Sequence, residues 1–302
     1  MKAYSITGLD AILGGLMGRY KERVPDVAAI IRAMVEEKVI AHEDEIENDH
    51  IAFRTLAVPH LGIRSLEKIF LHYGYEKRDH YFFAEKKLDA FWYAPPAPRY
   101  PRIFISELRV DDLSAQAGKI IRQYTDEVQT DPADALDPGD SAAVDKFLHS
   151  ALWRTPTVED YKVLAAESEY AGWVIYNRYY LNHFTISVHN LPAGYNTVAS
   201  FNAFLERRGF RLNDAGGKIK TSSDKALLQS STVAGMVDAE FAGGQHWQIA
   251  GSYVEFAERR VLPQFAHLPQ EKITREQRRE GFEAGNADKI FESTYSSQTG
   301  KR

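Results

Sequence analysis

The sequence predicts an α+β fold in which two β-α-β-β-β modules pair into one curved mixed sheet around a cleft, with added helices. Three observations predict it. Two strand-rich regions, residues 48–109 and 182–260, share one order of elements. Each opens with a strand beginning at a histidine, His50 or His183, and closes with a strand carrying a glutamate, Glu107 or Glu255. The stretch between them, 110–181, has helical spacing throughout and reads as an insertion. The chain 1–302 reads as one domain, with helices in 1–40 before the first module and a tail at 261–302.

Each element follows from local pattern. Apolar residues at three- and four-residue spacing predict helices over 9–20 and 25–38. The acidic turn HEDEIEND leads into the strand HIAFRTLAV at 50–58, and a helix over 64–73 stops at Gly74. HYFFAE, LDAFWYA and RIFISEL then read as three short strands separated by turn residues. Four helical segments fill 110–181, interrupted by an exposed acidic, Pro-containing loop around 130–140. The second module repeats the plan. The strand NHFTISVHNL precedes a helix ending at Gly209, and GKIKTS, ALLQSSTVAGMVDAEF and GSYVEFAERR are extended. The tail from 270 onward, beginning EKITREQRREGFEAG, is charged and is expected to be helical.

Composition narrows the chemistry. A hydrophobic content of 44% supports a substantial core, and the net charge of −5 is spread along the chain with no basic stripe for nucleic acid. With no cysteine, thiolate metal sites, disulfides and cysteine nucleophiles are excluded, so any metal is held by His, Asp, Glu or water. Asp10 interrupts the short apolar stretch near the N-terminus, which reads as an amphipathic helix and not a signal peptide. No run is long enough to span a membrane, and a cytoplasmic location is the default expectation.

His50, His183 and Glu255 are the leading candidates for a metal site. Two histidines and one carboxylate from separate strands match the facial triad of non-haem Fe(II) oxygenases, which leaves coordination positions open for substrate and O2. The two histidines hold matched places in the two modules, and Glu255 lies in a mostly apolar strand where an ionised carboxylate needs a partner. Strand alternation puts Arg54 on the face of His50, where it could capture a substrate carboxylate or satisfy a structural Asp or Glu; its counterpart is Ser187. His189 shares the face of His183 but lies roughly 20 Å along a strand, too far for the same ion. Glu107, read as the counterpart of Glu255, could be a fourth ligand or an acceptor behind the ligands. In the run Gln229, Ser230, Ser231, Thr232, two side chains such as Gln229 and Thr232 could point into the cleft. An ordinary half-exposed strand is the alternative, and the one favoured for Ser230.

Four segments carry a family resemblance: Asp-His-Ile-Ala-Phe-Arg-Thr at 49–55, Leu-Gln-Ser-Ser-Thr at 228–232, Tyr-Val-Glu-Phe-Ala-Glu-Arg at 253–259 and Asn-Ala-Asp-Lys-Ile-Phe-Glu-Ser-Thr at 286–294. Over about residues 10–294 the chain resembles the 2-oxoadipate dioxygenase/decarboxylase family, similar in fold to the vicinal oxygen chelate superfamily. Better-known bacterial members are longer, so the chain reads as a short form. The resemblance implies an Fe(2+) enzyme that takes a 2-oxo diacid and O2 and turns 2-oxoadipate into 2-hydroxyglutarate and CO2. Its metal ligands would fall on His50, His183 and Glu255 and its substrate arginine on Arg54. Two other readings stand beside it: a glyoxalase-like isomerase or lyase with Glu107 as a fourth ligand, and a binding module in which these residues serve structure alone.

Overall fold

A computed structural model describes residues 6–301; the first five residues of the predicted N-terminal region and Arg302 lie outside it. Helices α1 (Ile6–Arg23) and α2 (Pro25–Glu36) come first, and Pro25 opens α2 at a position where a missing N–H costs nothing. The first module is β1 (Asn48–Leu56), α3 (Ile63–His72), β2 (Glu76–Phe83), β3 (Leu88–Ala94) and β4 (Arg102–Leu108). Then come α4 (Ala115–Thr125), α5 (Ser141–Leu148), α6 (Val158–Glu167) and α7 (Glu169–Asn177), each started by a Ser, Asp or Thr side chain that accepts a backbone N–H. The second module is β5 (His183–Ser187), α8 (Val198–Arg207), β6 (Lys220–Thr221), β7 (Leu227–Ser231), the hairpin β8 (Met236–Glu240) and β9 (His246–Ala250), and β10 (Tyr253–Arg259). The chain ends with α9 (Ala284–Phe291) and α10 (Ser296–Thr299). Among the described residues no helix is long and apolar enough to cross a membrane.

One mixed sheet of eight strands runs β2-β3-β4-β1-β5-β10-β7-β6. Its halves are the two modules, joined at the antiparallel pair β1 and β5. In each half the histidine strand is parallel to the last strand of its module, β1 to β4 and β5 to β10. The predicted duplication is therefore a physical symmetry, and it puts the two histidine strands side by side at the centre. The sheet curls so that side chains from β1, β4, β5, β7 and β10 line one cavity.

The register corrects one assignment. His50 pairs with Arg102 and His183 with Tyr253. Counting on from those partners, Glu255 is matched by Phe104, and Glu107 is matched by Glu258. The latter two do the same work: Glu107 Oε2 accepts from the Ile63 N–H at 2.8 Å and Glu258 Oε2 from the Val198 N–H at 2.9 Å. Each closes the N-terminus of its module's helix, where exposed N–H groups and the helix dipole favour an anion. Glu107 thus lies on the sheet face opposite the cavity and is not a fourth ligand. Glu107→Gln is expected to retain the wild-type metal content, measured on protein purified without chelator. A loss as large as that of Glu255→Gln would contradict this placement.

Two extended or helical expectations also change. The segment ALLQSSTVAGMVDAEF is not one strand, because β7 stops at Ser231 and the chain leaves the main sheet before forming the separate β8–β9 hairpin. The expected helix after 270 is replaced by short 3-10 turns at Gln270–Lys272 and Arg275–Gln277, and helix resumes only at Ala284. Gly281, at φ +70, takes a left-handed conformation that ends regular structure, and the charged residues around it are used individually: Glu280 pairs with Arg102, and Arg278 donates to the Arg259 carbonyl.

Candidate metal centre

His50 and His183 sit on the two central strands, and Glu255 on the strand next to β5. All three are buried, and one ligand atom from each lies within 4.8 Å of the others. His183 Nε2 is 3.0 Å from Glu255 Oε2 and His50 Nε2 is 3.5 Å from Glu255 Oε1. Among the described residues no other trio of His, Asp and Glu converges in this way. His183 Nε2 makes no aligned hydrogen bond despite its burial, a cost that a metal bond would remove. Two imidazoles and a carboxylate suit a borderline divalent ion, so the residues present fit iron.

The orientation of each ring is fixed from behind. His50 Nδ1 is 2.8 Å from Asp49 Oδ1, and His183 Nδ1 is 3.0 Å from Asn182 Oδ1. An acceptor at Nδ1 holds the proton there and leaves the Nε2 lone pair available to an ion. The symmetry extends to these supports, since Asp49 and Asn182 each immediately precede their histidine. Glu255 is supported in its turn. Gln229 Nε2 donates to Glu255 Oε1 at 2.6 Å, and Asn286 Nδ2 of α9 donates to Gln229 Oε1 at 2.9 Å. Oε1 is thereby engaged, and Oε2 is left toward His183.

Electrostatics follow from burial and these contacts. Burial alone would raise the Glu255 carboxyl, but the two imidazoles facing it bring it down to about 2. Burial lowers both histidines; at His50 the carboxylates of Glu255 and Asp49 outweigh it and raise the imidazole above its ordinary value, whereas His183 stays lowered. Asp49 is held well below the usual carboxylate range, because Arg259 and Arg102 overcome the effect of burial. Arg259 grips it with two hydrogen bonds of 2.6 and 2.9 Å and Arg102 adds a third at 3.1 Å.

Removing that charge is expensive. Asp49→Asn leaves two buried guanidinium groups short of their counter-ion, and a loss of about 3–5 kcal/mol is expected. The melting temperature should fall on the order of 10 °C. Because the folded-state pKa of Asp49 is depressed, its contribution is complete above the ordinary aspartate range and is lost as pH falls through the lower value. Wild type and variant should therefore converge only in strong acid. Equal melting temperatures at neutral pH would contradict the role given to Asp49.

The cavity that these three residues line has an empty volume of about 370 Å³ including its mouth. Arg54 lines it from β1. Its Nη1 donates to Thr294 Oγ1 and its Nη2 to the Phe291 carbonyl, both at 2.9 Å, while Nε has no partner. Tyr170, Trp173 and Phe291 surround the guanidinium with ring centroids 5.2–5.6 Å away. Among the described residues no Asp or Glu pairs with it, so the alternative of a structural ion pair is not what the fold builds. Phe282 packs edge-on against His50 at 4.8 Å, and Ala287, Ile290 and Phe291 complete an apolar wall.

Other sequence expectations fall differently. Gln229 does line the cavity, but its amide is spent on Glu255 and Asn286. Thr232 does not reach the cavity: its Oγ1 accepts from the Val254 N–H at 3.1 Å, inside the sheet. Ser230 is buried and not half-exposed, bonded to Asn202 on the other face. His189 bonds backbone groups at the far end of β10, away from the candidate metal site. The residues that sequence reasoning missed are Asp49, Asn182, Tyr253 and the wall from the tail. An acid or amide directly before each histidine was the available signal for the first two.

A sequence model of the 2-oxoadipate dioxygenase/decarboxylase family matches residues 12–271. The chain belongs to that family. It is 41% identical over 303 aligned residues to a chloroplastic 2-oxoadipate dioxygenase/decarboxylase of Arabidopsis thaliana, covering 97% of this chain and 79% of that protein. It is 44% identical to a chloroplastic/amyloplastic 2-oxoadipate dioxygenase/decarboxylase of Oryza sativa subsp. japonica, covering 86% of this chain and 72% of that protein. The crystal structure of the Oryza sativa hydroxyglutarate synthase in complex with 2-oxoadipate superimposes with a TM-score of 0.87 at 40% identity, over 96% of this chain and 93% of the other. The curled mixed sheet is thus the family fold. The plastid names of both curated relatives overturn the cytoplasmic default drawn from the sequence.

Proposed function

We propose that the protein is an Fe(II)-dependent 2-oxoadipate dioxygenase/decarboxylase that converts 2-oxoadipate and O2 to 2-hydroxyglutarate and CO2. The observation that carries the reading is a ligand set stopped at three. His50, His183 and Glu255 converge, and the symmetry position of Glu255 in the first module is Phe104. A side chain without donor atoms there adds no fourth protein ligand, so an ion held by the three would have positions open to substrate. The names of the relatives and the 2-oxoadipate bound in the rice structure support the substrate.

Iron, when bound, supplies the redox chemistry that joins O2 to the 2-oxo acid. The protein's own residues do the rest. Asp49 and Asn182 keep Nδ1 protonated so that both Nε2 atoms face the ion. Gln229 engages Glu255 Oε1 and fixes the orientation of the carboxylate that would hold the ion. Phe282, Ile290 and Phe291 exclude water from the reacting end. A divalent ion with Glu255 and Arg54 leaves an excess of positive charge in the cavity, which favours a dianionic substrate.

The glyoxalase-like reading loses its main support with Glu107 on the opposite face. Reconstitution discriminates the two. Metal-free protein loaded with Fe(II) is expected to consume O2 on addition of 2-oxoadipate, and protein loaded with Zn(II) is expected to consume none. Conversion of 2-oxoadipate by the Zn(II) form without O2 uptake would overturn the proposal.

A further inference from the structure

Tyr253 is the first residue of β10 and the cross-strand partner of His183. Its ring stacks on the His183 ring, with centroids 4.7 Å apart and planes 29° from parallel. The side chain is fully buried and lines the cavity, yet the hydroxyl has no hydrogen-bond partner. A buried unpaired hydroxyl destabilises a fold, and phenylalanine would fill the same volume without that cost. Its symmetry mate Arg102 is consumed by Asp49 and Glu280. The second module thus puts a neutral, unspent donor where the first puts a structural cation.

Arg54 presents a second unspent donor to the same cavity. Its two Nη atoms are tied to Thr294 and Phe291, and Nε alone is without a partner. A phenol is protonated at neutral pH and can donate. Both donors line the cavity that His50, His183 and Glu255 also line, and with those three residues taking the keto end of a 2-oxo acid, the donors are left for its other carboxylate.

We propose that Tyr253 is a specificity-determining residue whose hydroxyl donates, together with Arg54 Nε, to the substrate carboxylate remote from the keto group. The proposal rests on the 2-oxo diacid reading above. Tyr253 would then reward a second carboxylate and leave a monoacid with nothing to pair.

The test uses the Fe(II)-loaded protein under anaerobic conditions, where a 2-oxo acid chelated to Fe(II) gives a visible charge-transfer band. Wild type and Tyr253→Phe are titrated with 2-oxoadipate and with 2-oxohexanoate, a monoacid of equal length. Losing a hydrogen bond to a charged acceptor is expected to weaken 2-oxoadipate binding about ten- to hundred-fold. Binding of 2-oxohexanoate, iron content and melting temperature should not fall. Unchanged 2-oxoadipate affinity in Tyr253→Phe overturns the assignment of Tyr253 alone. Equal weakening for both acids also overturns it, because the contact would then be at the keto end. A wild-type protein that gives no band with 2-oxoadipate overturns the functional reading and this inference with it.

Discussion

Alanine at His50, His183 or Glu255 is expected to take bound iron from one ion per chain to a small residue, and turnover with it. Each residue supplies one of three ligand atoms gathered within 4.8 Å, and none is replaceable by a neighbour, since Glu107 faces away and Gln229 Oε1 already accepts from Asn286. Removing a ligand also leaves the others as buried polar groups without their partner. Glu255→Gln sharpens the comparison because it preserves shape and changes charge. Metal analysis and a melting curve on the same samples separate loss of the ion from loss of the fold. Full metal content in all three alanine variants would mean that the ion, if any, is held elsewhere.

Proton competition gives the same site a pH signature. Metal binding requires neutral imidazoles. His50 is raised above its ordinary range by Glu255 and Asp49, so it takes up a proton first as pH falls. His183 is lowered, and Glu255, at about 2, stays ionised throughout this range. Iron affinity should therefore start to weaken at a pH above the ordinary histidine value of roughly 6.5, by about one decade per pH unit. A titration by metal-binding competition that stays flat down to pH 5 would contradict the assignment of His50.

The second large effect is expected at Arg54. If it holds a substrate carboxylate, Arg54→Ala loses a charged, largely desolvated contact of about 2–5 kcal/mol. That is roughly tens-fold to thousands-fold in kcat/KM for 2-oxoadipate. Lysine restores charge but cannot supply Nε while also reaching Thr294 and the Phe291 carbonyl, so Arg54→Lys should recover only part of the activity. Iron content should be unchanged in both. The preference for 2-oxoadipate over a 2-oxo monoacid should disappear in Arg54→Ala if the remote carboxylate is the one held. Unchanged kinetics on both acids would reduce Arg54 to an anchor for the tail.

The parts legible in the sequence are those governed by local periodicity. The two modules, the helices between them and the positions of His50 and His183 follow from alternation, spacing and repetition. Glu255 follows because a carboxylate in YVEF has no other way to be buried. What was not legible depends on register across strands distant in sequence. Glu107 and Glu255 look equivalent along the chain, and only pairing shows that Glu107 matches Glu258 on the helix side of the sheet. Thr232 reads as a cleft residue from the polar run 229–232, but its hydroxyl is claimed by the Val254 N–H. The tail is the largest omission. Its charged composition suggests a helix, whereas Gly281 breaks it, Phe282 and Phe291 turn inward to line the cavity, and Asn286 holds Gln229. Sequence patterning sees the charges and not the ion pairs that bury them.

Oxygen labelling tests the central claim most directly. The Fe(II)-loaded protein is given 2-oxoadipate under 18O2, and the five-carbon product is analysed by mass spectrometry. A dioxygenase that releases CO2 from the 2-oxo acid leaves both atoms of O2 in 2-hydroxyglutarate, one in the new carboxylate and one in the hydroxyl. The account predicts a doubly labelled product, formed by wild type and absent with Glu255→Ala. A product carrying no 18O, or equal turnover by Glu255→Ala, would contradict it.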